Sequence, residues 1–550
     1  MHFSVLARKL LWALLLITLC TSFFPSIWNV DIFWHVATGN WILEHSEIPS
    51  TDIFSAISPE REWVPFQWLY EVMAAIVYGF SGLGGLRIIS GLILIGSLWL
   101  LVNRLKERHT SEWAVLALTA LTFVLFGDRI RIRPHLINFL FVVFYSSLLL
   151  DGIKEKSLSL TLKKVVPGVA LWANLHAGGA LIFLVLLASI PGGALLDYIL
   201  HRKRDREAHK RHLKMAVSLW FGAALAASLM PNFVTGAYHS IFMLDASQNL
   251  ISEWKPAWSW VGLFMTHGHP SMLIVGITPW ALLVVSSLMP LLKRGKTDED
   301  KWSNGQWLLA VGVSLIAIKY GRFAWLCFLP ASLVATQFNP KHRYLPVPAI
   351  LAASLTFAVF NYQVVVIKGG LEHVVPSFTA HIDAKRFPVE ASRFLNAARI
   401  SGKAWTLPNW GGFVTLSSDG NIKVLADGRG NYPREVADDL DHIYRNRWRA
   451  EAVSKTRAAY NRYKDIDLII MQAPALPDNM GMPGWIQIYP INTQWAGEFE
   501  FPAQASIPIK EVVYARTEAN ETIAKAKELW REVRLRMRST RSKNGLSRDD

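Results

Sequence analysis

Long apolar stretches alternate with short charged loops over the first 362 residues of the chain. A helix that crosses a bilayer needs about 20 mostly apolar residues. Stretches approaching this length lie near residues 10–28, 84–102, 112–127, 135–151, 165–177, 179–199, 215–231, 272–292, 306–320, 323–338 and 344–362. The pattern predicts a polytopic α-helical membrane protein with about 11 transmembrane helices, in a transmembrane domain that covers residues 1–362.

The remaining residues have a different pattern. Short β-type runs and turn residues mix in SRFLNAARISGKAWTL, GGFVTLSSDGNIKVLADGRG and DIDLIIMQAP, while ADDLDHIYRNRW has the periodicity of an amphipathic helix. This mixture predicts a small α/β domain over residues 363–515. The basic segment at 516–550 predicts a helical or disordered tail.

Composition and charge support a membrane protein. Only 18% of the residues are charged, against about 25% in typical soluble domains. The formal net charge is +15, but most Lys and Arg of residues 1–361 fall in cytoplasmic loops if the N-terminus is cytoplasmic. The charge excess is therefore a topology signal, and no nucleic-acid partner is predicted. An odd number of spans places the α/β domain on the opposite, outer side.

The first polar cluster follows the first apolar stretch. Asp31 and His35 are four residues apart, so on a helix they share one face. Ionisable groups at the edge of a membrane are costly and are candidates for function, and a carboxylate there suits proton transfer. In the alternative interpretation, Asp31 caps the next helix and His35 packs on the membrane interface.

A second set of polar residues lies at the outer ends of other helices, in FGDRIRIRPH (126–135), NLHAGG (174–179) and KYGR (319–322). Guanidinium groups bind phosphate in a bidentate way, so the set predicts a phosphate site. Arginine snorkelling to lipid headgroups and a purely interhelical hydrogen bond by the histidine are the alternatives. The predicted substrate-binding residues are Arg129, Arg131, Arg133, His135, His176, Lys319 and Arg322.

The order of these motifs resembles that of glycosyltransferases of the GT-C superfamily. The elements DIFWHVATG (31–39), RIRPH (131–135), NLHAGG and ADGRG (426–430) are similar to those of a group of bacterial membrane proteins. The segments WILEHSEIPSTD and WVPFQWLYE resemble the first external loop of the protein mannosyltransferase and aminoarabinose transferase branch. The resemblance implies a GT-C-like fold in the bacterial inner membrane, with a cytoplasmic N-terminus and a periplasmic C-terminal domain.

The resemblance also implies an activity. A sugar would pass, with inversion, from a polyprenyl-phosphate-linked donor to a glycan, lipid or protein acceptor on the periplasmic face, among membrane lipids. Asp31 would activate the acceptor, and Asp128 and His35 complete the predicted catalytic residues. No metal site is predicted. A divalent cation, Mg²⁺ or Mn²⁺, held with the help of Asp128 is the open alternative.

Two other functions remain open at this point. A transporter or flippase for a lipid-linked glycan would use the same arginines, but it should show inverted repeats, which the sequence lacks. A non-catalytic polysaccharide assembly protein is the second, because Asp31 is followed by Ile32 where the superfamily frequently has a second acid. Asp427 and Arg429 of ADGRG are predicted to form an ion pair in a structural turn.

Overall fold

The structure is a computed structural model of the 550-residue chain. It describes residues 2–21, 29–109, 111–153, 158–200, 206–231, 233, 255–267, 270–292, 302–336, 382, 386–446, 458–459, 462–472, 484–499 and 511–543. These residues belong to two compact units. The first contains Met1–Ser26, Phe66–Tyr70 and Val77–His381, and the second contains Ile27–Pro65, Glu71–Ile76 and Ile382–Asp550.

The first unit is helical throughout its described part. Its helices are α1 (His2–Thr21), most of α3 (Trp68–Arg108), α4 (Glu112–Phe126), α5 (His135–Phe144), α6 (Ser146–Asp151), α7 (Leu158–Leu175), α8 (Ala177–Leu187), α9 (Ser189–Leu200), α10 (Arg206–Ala227), α11 (Ala257–His267), α12 (Pro270–Leu292), α13 (Asn304–Lys319) and α14 (Phe328–Ala335). Two 3₁₀ turns, Gly127–Arg129 and Gly321–Cys327, follow α4 and precede α14.

Within the described residues, three helical segments are long and apolar enough to cross a membrane: Trp68–Arg108, Ala177–Leu200 and Met272–Met289. Shorter apolar helices occupy Glu112–Phe126, His135–Phe144 and Gly321–Ala335. The prediction of a membrane protein is therefore confirmed, whereas the number of about 11 spans is not. The predicted span at 344–362 lies outside the described residues.

A change of backbone direction separates the two parts of α3. Gly82 has φ 59° and ψ −158°, so the helical conformation is interrupted there. Glycine adopts positive φ without a Cβ clash, which makes it suitable for such a break. The break lies just before the predicted span at 84–102, after a shorter helical part that begins at Trp68.

The second unit contains a five-stranded sheet. Its strands are β1 (Gly402–Thr406), β2 (Ile422–Val424), β3 (Leu468–Gln472), β4 (Trp485–Tyr489) and β5 (Glu511–Arg516), in the order β2-β1-β3-β5-β4. β1 is parallel to β2 and β3, with Ala404 opposite Leu468, while β5 is antiparallel to β3 and β4. Leu468, Ile469 and Ile470 are all fully buried, as expected for a strand covered on both faces.

Helices flank this sheet. They are α2 (Asp31–His45), α15 (Val389–Ala397), α16 (Pro408–Ser417), α17 (Arg434–Asn446), α18 (Thr493–Glu498) and α19 (Asn520–Lys543). The segment predicted as a helical or disordered tail is helical as far as Lys543, and the Trp530 indole N–H donates a hydrogen bond to the Ile488 carbonyl at 3.0 Å.

Residues near the start of the chain belong to this unit. The Ala56 N–H donates to the Val424 carbonyl at 2.9 Å, and the Val424 N–H donates to the Phe54 carbonyl at 3.0 Å. The loop between α2 and α3 is thus hydrogen-bonded to β2. In α2, the Phe33 ring packs edge-to-face on Phe387 and Phe413, with centroids 4.8 and 5.0 Å away. These apolar contacts join α2 to α16.

α2 also packs closely against the part of α3 that belongs to the second unit. A methyl group at Gly39 would lie 2.0 Å from the Glu71 carbonyl oxygen and 2.7 Å from Ala75 Cβ. We therefore expect Gly39→Ala to lower the free energy of unfolding by about 1–3 kcal/mol through overpacking. The melting temperature of the purified protein in detergent measures the effect. Gly79→Ala is the matched control, because a methyl group there meets no described atom within 4 Å. Equal melting temperatures would contradict the close packing.

Candidate functional site

The Asp31 carboxylate lies at the start of α2. The helix N-cap is Val30, so Asp31 is the first helical residue and does not occupy the capping position. Its backbone N–H donates to Asn29 Oδ1 at 3.3 Å. The alternative in which Asp31 serves as the helix cap therefore does not describe this structure. The side chain is half-buried and lies close to Gly428, where a methyl group would be 3.4 Å from Asp31 Oδ1.

Trp34 lies one turn along the same helix. Only 8% of the residue is exposed. Its indole N–H is buried, and among the described residues it has no hydrogen-bond partner. The same methyl position at Gly428 would be 3.4 Å from Trp34 Nε1. Asp31 and Trp34 thus present a carboxylate oxygen and an N–H group to one small space above Gly428.

His35 is buried within the second unit, where it meets Glu71 of α3. His35 Nδ1 lies 3.1 Å from Glu71 Oε1, so the ring donates a hydrogen bond to a carboxylate that has no exposed surface. The Trp34 and His35 ring centroids are 3.7 Å apart. Glu71 therefore fixes the His35 ring, which packs against the Trp34 ring. A catalytic role for His35 stays a prediction.

The ADGRG turn contains the predicted ion pair and extends it. Arg429 Nη2 lies 2.6 Å from Asp427 Oδ2, and Arg429 Nη1 lies 2.9 Å from Asp52 Oδ1 in the loop between α2 and α3. The Asn431 amide donates to the second Asp52 oxygen at 3.0 Å. The Arg429 guanidinium carbon is also 4.5 Å from the Trp63 ring centroid, a cation–π distance. These contacts join the 427–431 turn to the first loop.

Burial and charge act in opposite directions on this ion-pair cluster. Burial raises the pKa of Asp52; the Arg429 guanidinium opposes that rise, and the Asp427 carboxylate adds to it. Burial alone would lower the pKa of Arg429, but Asp427 and Asp52 together raise it. Arg429 therefore remains charged, and it is the single cation between two buried carboxylates.

A second polar cluster lies in the first unit, around two histidines. Arg322 Nη2 lies 2.9 Å from His135 Nε2. A guanidinium group can only donate, so His135 Nε2 accepts and the neutral ring carries its proton on Nδ1. That Nδ1 is buried and has no partner among the described residues. The His176 ring centroid is 5.2 Å from that of His135.

His176 is fixed by the motif in which it occurs. It is the N-cap of α8, and its Nδ1 accepts a hydrogen bond from the Gly179 N–H at 2.9 Å. The neutral ring then carries its proton on Nε2. Asn138 lies 3.4 Å from the same Nδ1 and accepts a hydrogen bond from the Trp172 indole at 2.9 Å. These contacts match the alternative of an interhelical hydrogen-bonding histidine, and they leave its Nε2–H as a donor.

Glycine is required at one position of this motif for packing. A methyl group at Gly179 would lie 1.9 Å from Asn138 Oδ1 and 2.7 Å from Trp172 Nε1. The close approach of α8 to α5 and α7 is therefore possible only without a side chain there.

The remaining predicted residues are placed as follows. Arg129 is buried, Arg131 and Arg133 are half-buried, and both Arg129 and Arg133 are within electrostatic range of the His135 ring. Lys319 is exposed, and its ammonium lies 5.1 Å from the Tyr320 ring centroid. Asp128 belongs to the 3₁₀ turn Gly127–Arg129, and its side chain is outside the described part of the structure.

A metal site is not found in the part of the chain that the structure describes. No group of three or more His, Cys, Asp or Glu side chains that could hold an ion occurs there. Trp34 and Gly428, which lie beside Asp31, carry no side-chain oxygen, whereas Mg²⁺ takes six oxygen ligands in octahedral geometry. These residues do not fit a divalent cation by themselves.

Sequence reasoning does not include Trp34, Glu71 or Gly428 among the predicted site residues. Trp34 falls within DIFWHVATG and Glu71 ends WVPFQWLYE, so both are part of quoted motifs. Their importance depends on contacts with residues far away in the chain, and an aromatic residue in a membrane-interface loop is otherwise explained by the interface itself.

Comparison with known proteins supports the fold. No family model and no curated protein matches the chain. Archaeal oligosaccharyltransferase AglB from Archaeoglobus fulgidus, solved with an inhibitory peptide and a dolichol-phosphate, aligns over 95% of this chain and 78% of its own, with a TM-score of 0.51 and 12% identity. A second structure of the Archaeoglobus fulgidus oligosaccharyltransferase, with Zn and sulfate, aligns over 84% and 68%, with a TM-score of 0.50 and 12% identity.

These neighbours are glycosyltransferases of the GT-C superfamily. At 12% identity the likeness concerns the fold alone, so the chain has the fold of these oligosaccharyltransferases, a GT-C-type fold as the motifs predicted.

Proposed function

We propose that this protein is a membrane glycosyltransferase that moves a sugar from a polyprenyl-phosphate-linked donor to an acceptor on the periplasmic face of the bacterial inner membrane. The observation that carries the proposal is the cluster of Arg322, His135 and His176 in the first unit: Arg322 donates to His135, the two histidine ring centroids are 5.2 Å apart, and each neutral ring keeps one N–H as a donor. Its fold neighbour was solved with a dolichol-phosphate, which is a lipid phosphate of the proposed donor class.

The cluster has the chemistry of an anion site. Arginine carries five N–H donors and no acceptor, and each histidine uses its acceptor nitrogen on a protein group. The remaining ring N–H groups, His135 Nδ1–H and His176 Nε2–H, are donors. Donors held in place before reaction stabilise charge that develops in the transition state. Here that charge would appear on the departing lipid phosphate.

Asp31 would act at the acceptor. In the proposed reaction, the acceptor O–H or N–H bond breaks and the proton goes to Asp31. The acceptor atom bonds to the anomeric carbon, while the bond from that carbon to the phosphate oxygen breaks and its electron pair stays on the phosphate. A single displacement inverts the configuration. Asp128 remains a proposed catalytic residue, and Arg129, Arg131, Arg133 and Lys319 remain proposed substrate-binding residues.

A transporter of lipid-linked glycans is the second candidate, and the donor-rich cluster is the observation that favours it, because headgroup binding needs the same groups. The two functions differ in their product. A transferase forms a new glycosidic bond and releases polyprenyl phosphate, whereas a transporter moves an unchanged donor across the bilayer.

We expect Arg322→Met to raise the donor KM by about 10- to 100-fold, which corresponds to one lost charge-assisted hydrogen bond. The assay reconstitutes purified protein in proteoliposomes with radiolabelled polyprenyl-phosphate sugar and a membrane extract of the native cell as acceptor. Arg206→Met is the matched control, because Arg206 is exposed and hydrogen-bonded to Tyr198.

Three results would count against this proposal. An unchanged donor KM in Arg322→Met would exclude a phosphate site at this cluster. Movement of intact donor across the bilayer without a glycosylated product would favour the transporter. An equal rise in KM in Arg206→Met would show that the change is not specific to the cluster.

A further inference from the structure

We infer that the space bounded by Asp31, Trp34 and Gly428 is the subsite for the acceptor, and that it recognises a hydroxyl group. This inference rests on the proposed transferase function and narrows its acceptor to an alcohol, such as a sugar, lipid or side-chain hydroxyl.

The Trp34 indole provides the first observation. Its N–H is buried in a residue that is 8% exposed, and none of the described residues accepts a hydrogen bond from it. A buried polar group without a partner costs about 1–3 kcal/mol. An indole can only donate, so the missing partner is an acceptor atom. A ligand atom in the space above Gly428 would satisfy it.

The position of Gly428 provides the second observation. A methyl group there would be 3.4 Å from both Asp31 Oδ1 and Trp34 Nε1 and 3.6 Å from Val30 Cγ2, which are ordinary van der Waals distances. The residue does not have the positive φ of Gly430, so its backbone does not require glycine. Protein packing and backbone conformation therefore both permit a side chain at 428. Glycine at 428 leaves this position beside Asp31 Oδ1 and Trp34 Nε1 without a side chain.

The neighbouring Gly411 shows the contrast. A methyl group at Gly411 would lie 2.3 Å from the Ala426 carbonyl oxygen, so packing explains that glycine. Close packing does not explain the glycine at 428. The nearest described atoms to a methyl group there are Asp31 Oδ1, Trp34 Nε1 and one valine methyl, all at 3.4 Å or more.

The two polar groups determine which ligand fits. An ionised carboxylate only accepts hydrogen bonds, and an indole N–H only donates one. A hydroxyl oxygen can donate to Asp31 and accept from Trp34 at the same time. An ammonium group cannot accept from Trp34, a phosphate is repelled by Asp31, and a carboxamide separates its donor and acceptor on two atoms. A hydroxyl group satisfies both partners through a single atom.

The same geometry suits the transfer step. The hydroxyl proton passes to Asp31, one oxygen lone pair accepts the Trp34 N–H, and the other forms the bond to the anomeric carbon. The bond from that carbon to the lipid phosphate breaks with its electron pair on the phosphate. Trp34 would therefore orient the nucleophilic oxygen.

The subsite is held in place by its surroundings within the second unit. Gly412 allows close contact with Trp34, since a methyl group there would be 3.1 Å from Trp34 Cβ. The Arg429 contacts with Asp427 and Asp52 fix the turn that contains Gly428. A preorganised subsite reduces the entropy lost when the acceptor is oriented.

Two variants test the inference, Gly428→Ala and Trp34→Phe. The first fills the space, and the second removes the N–H while keeping an aromatic ring. At subsaturating acceptor we expect Trp34→Phe to transfer sugar about three- to tenfold more slowly, the loss of one hydrogen bond to a neutral group, and Gly428→Ala at least tenfold more slowly. Binding of polyprenyl phosphate should remain within about twofold of the unmodified protein, since neither change alters a cation that could hold a phosphate. Gly497→Ala is the matched control, because a methyl group there meets no described atom within 4 Å.

The atom that receives the sugar is the second readout. The labelled product formed with the native membrane extract is analysed by NMR. An O-glycoside supports the inference, and an N-glycoside overturns it. If Asp31→Asn abolishes transfer while Gly428→Ala and Trp34→Phe transfer at the unmodified rate, this inference is wrong and the proposed function stands. If Asp31→Asn also transfers at the unmodified rate, the role of Asp31 is wrong as well; if the unmodified protein transfers no sugar, the proposed function itself is wrong.

Discussion

Replacing Asp31 by Asn is expected to lower kcat for sugar transfer by about 10²–10⁴-fold, the range attributed to one general base. Asparagine keeps the size of the side chain but cannot take up the acceptor proton at neutral pH. Asp31 begins α2 at the edge of the small space shared with Trp34 and Gly428, so the substitution changes the chemistry at this point with little change in shape. Donor binding should be retained.

The measurement is transfer from radiolabelled polyprenyl-phosphate sugar in proteoliposomes, together with equilibrium binding of polyprenyl phosphate. Glu44→Gln is the matched control. It removes a carboxylate from the same helix at an exposed position, and we expect unchanged kcat. Full activity of Asp31→Asn would exclude the catalytic role of this carboxylate, whereas a lack of transfer by the unmodified protein would favour the transporter or a non-catalytic assembly protein.

Replacing Arg429 by Met is expected to lower the free energy of unfolding by about 3–5 kcal/mol, the usual cost of leaving buried charges without their partner. The substitution removes the single cation between Asp427 and Asp52 and also the cation–π contact with Trp63. Asp52→Asn should lower the free energy of unfolding much less, because the positive charge of Arg429 is still balanced by the negative charge of Asp427. Thermal and chemical unfolding of the purified proteins in detergent compares the two variants.

The direction of the pH dependence follows from the raised pKa of Asp52, which burial causes against the opposing effect of Arg429. A carboxyl whose pKa is higher in the folded than in the unfolded state binds its proton more tightly when folded. Its favourable contribution is therefore complete below the ordinary pKa of 3.8 and is lost as the pH rises through the folded-state value. As the pH rises from 3.8 through the folded-state pKa of Asp52, we expect the free energy of unfolding of Asp52→Asn to increase relative to that of the unmodified protein. Parallel pH profiles would contradict this.

The sequence predicts a membrane-spanning helix well where the apolar stretch is long enough to cross the bilayer. The apolar stretches at 84–102, 179–199 and 272–292 coincide with the three long helical segments of the structure, because about 20 apolar residues in a row have few other stable arrangements. Shorter stretches are ambiguous, since a buried helix of a soluble core has the same composition.

The candidate sites could be predicted only in part. The ion pair in ADGRG is local and visible in the sequence, whereas its third member, Asp52, comes from the loop between α2 and α3. Arg322 and His135 could be grouped by their predicted position at helix ends on one side of the membrane, but their hydrogen bond depends on packing between segments that are far apart in the chain. The tautomers of both histidines and the unpartnered N–H of Trp34 are properties of three-dimensional contacts, which hydrophobic periodicity does not contain.

The hydrogen bonds between β2 and the loop that joins α2 to α3 determine when the second unit can fold during synthesis. Ile27–Pro65 leaves the ribosome more than three hundred residues before Ile382–Asp550, with which it forms one unit. Until translation is nearly complete, Phe54 and Ala56 lack the strand to which they bond, and Phe33 lacks Phe387 and Phe413. The second unit can therefore be completed only after the intervening helices have been synthesised.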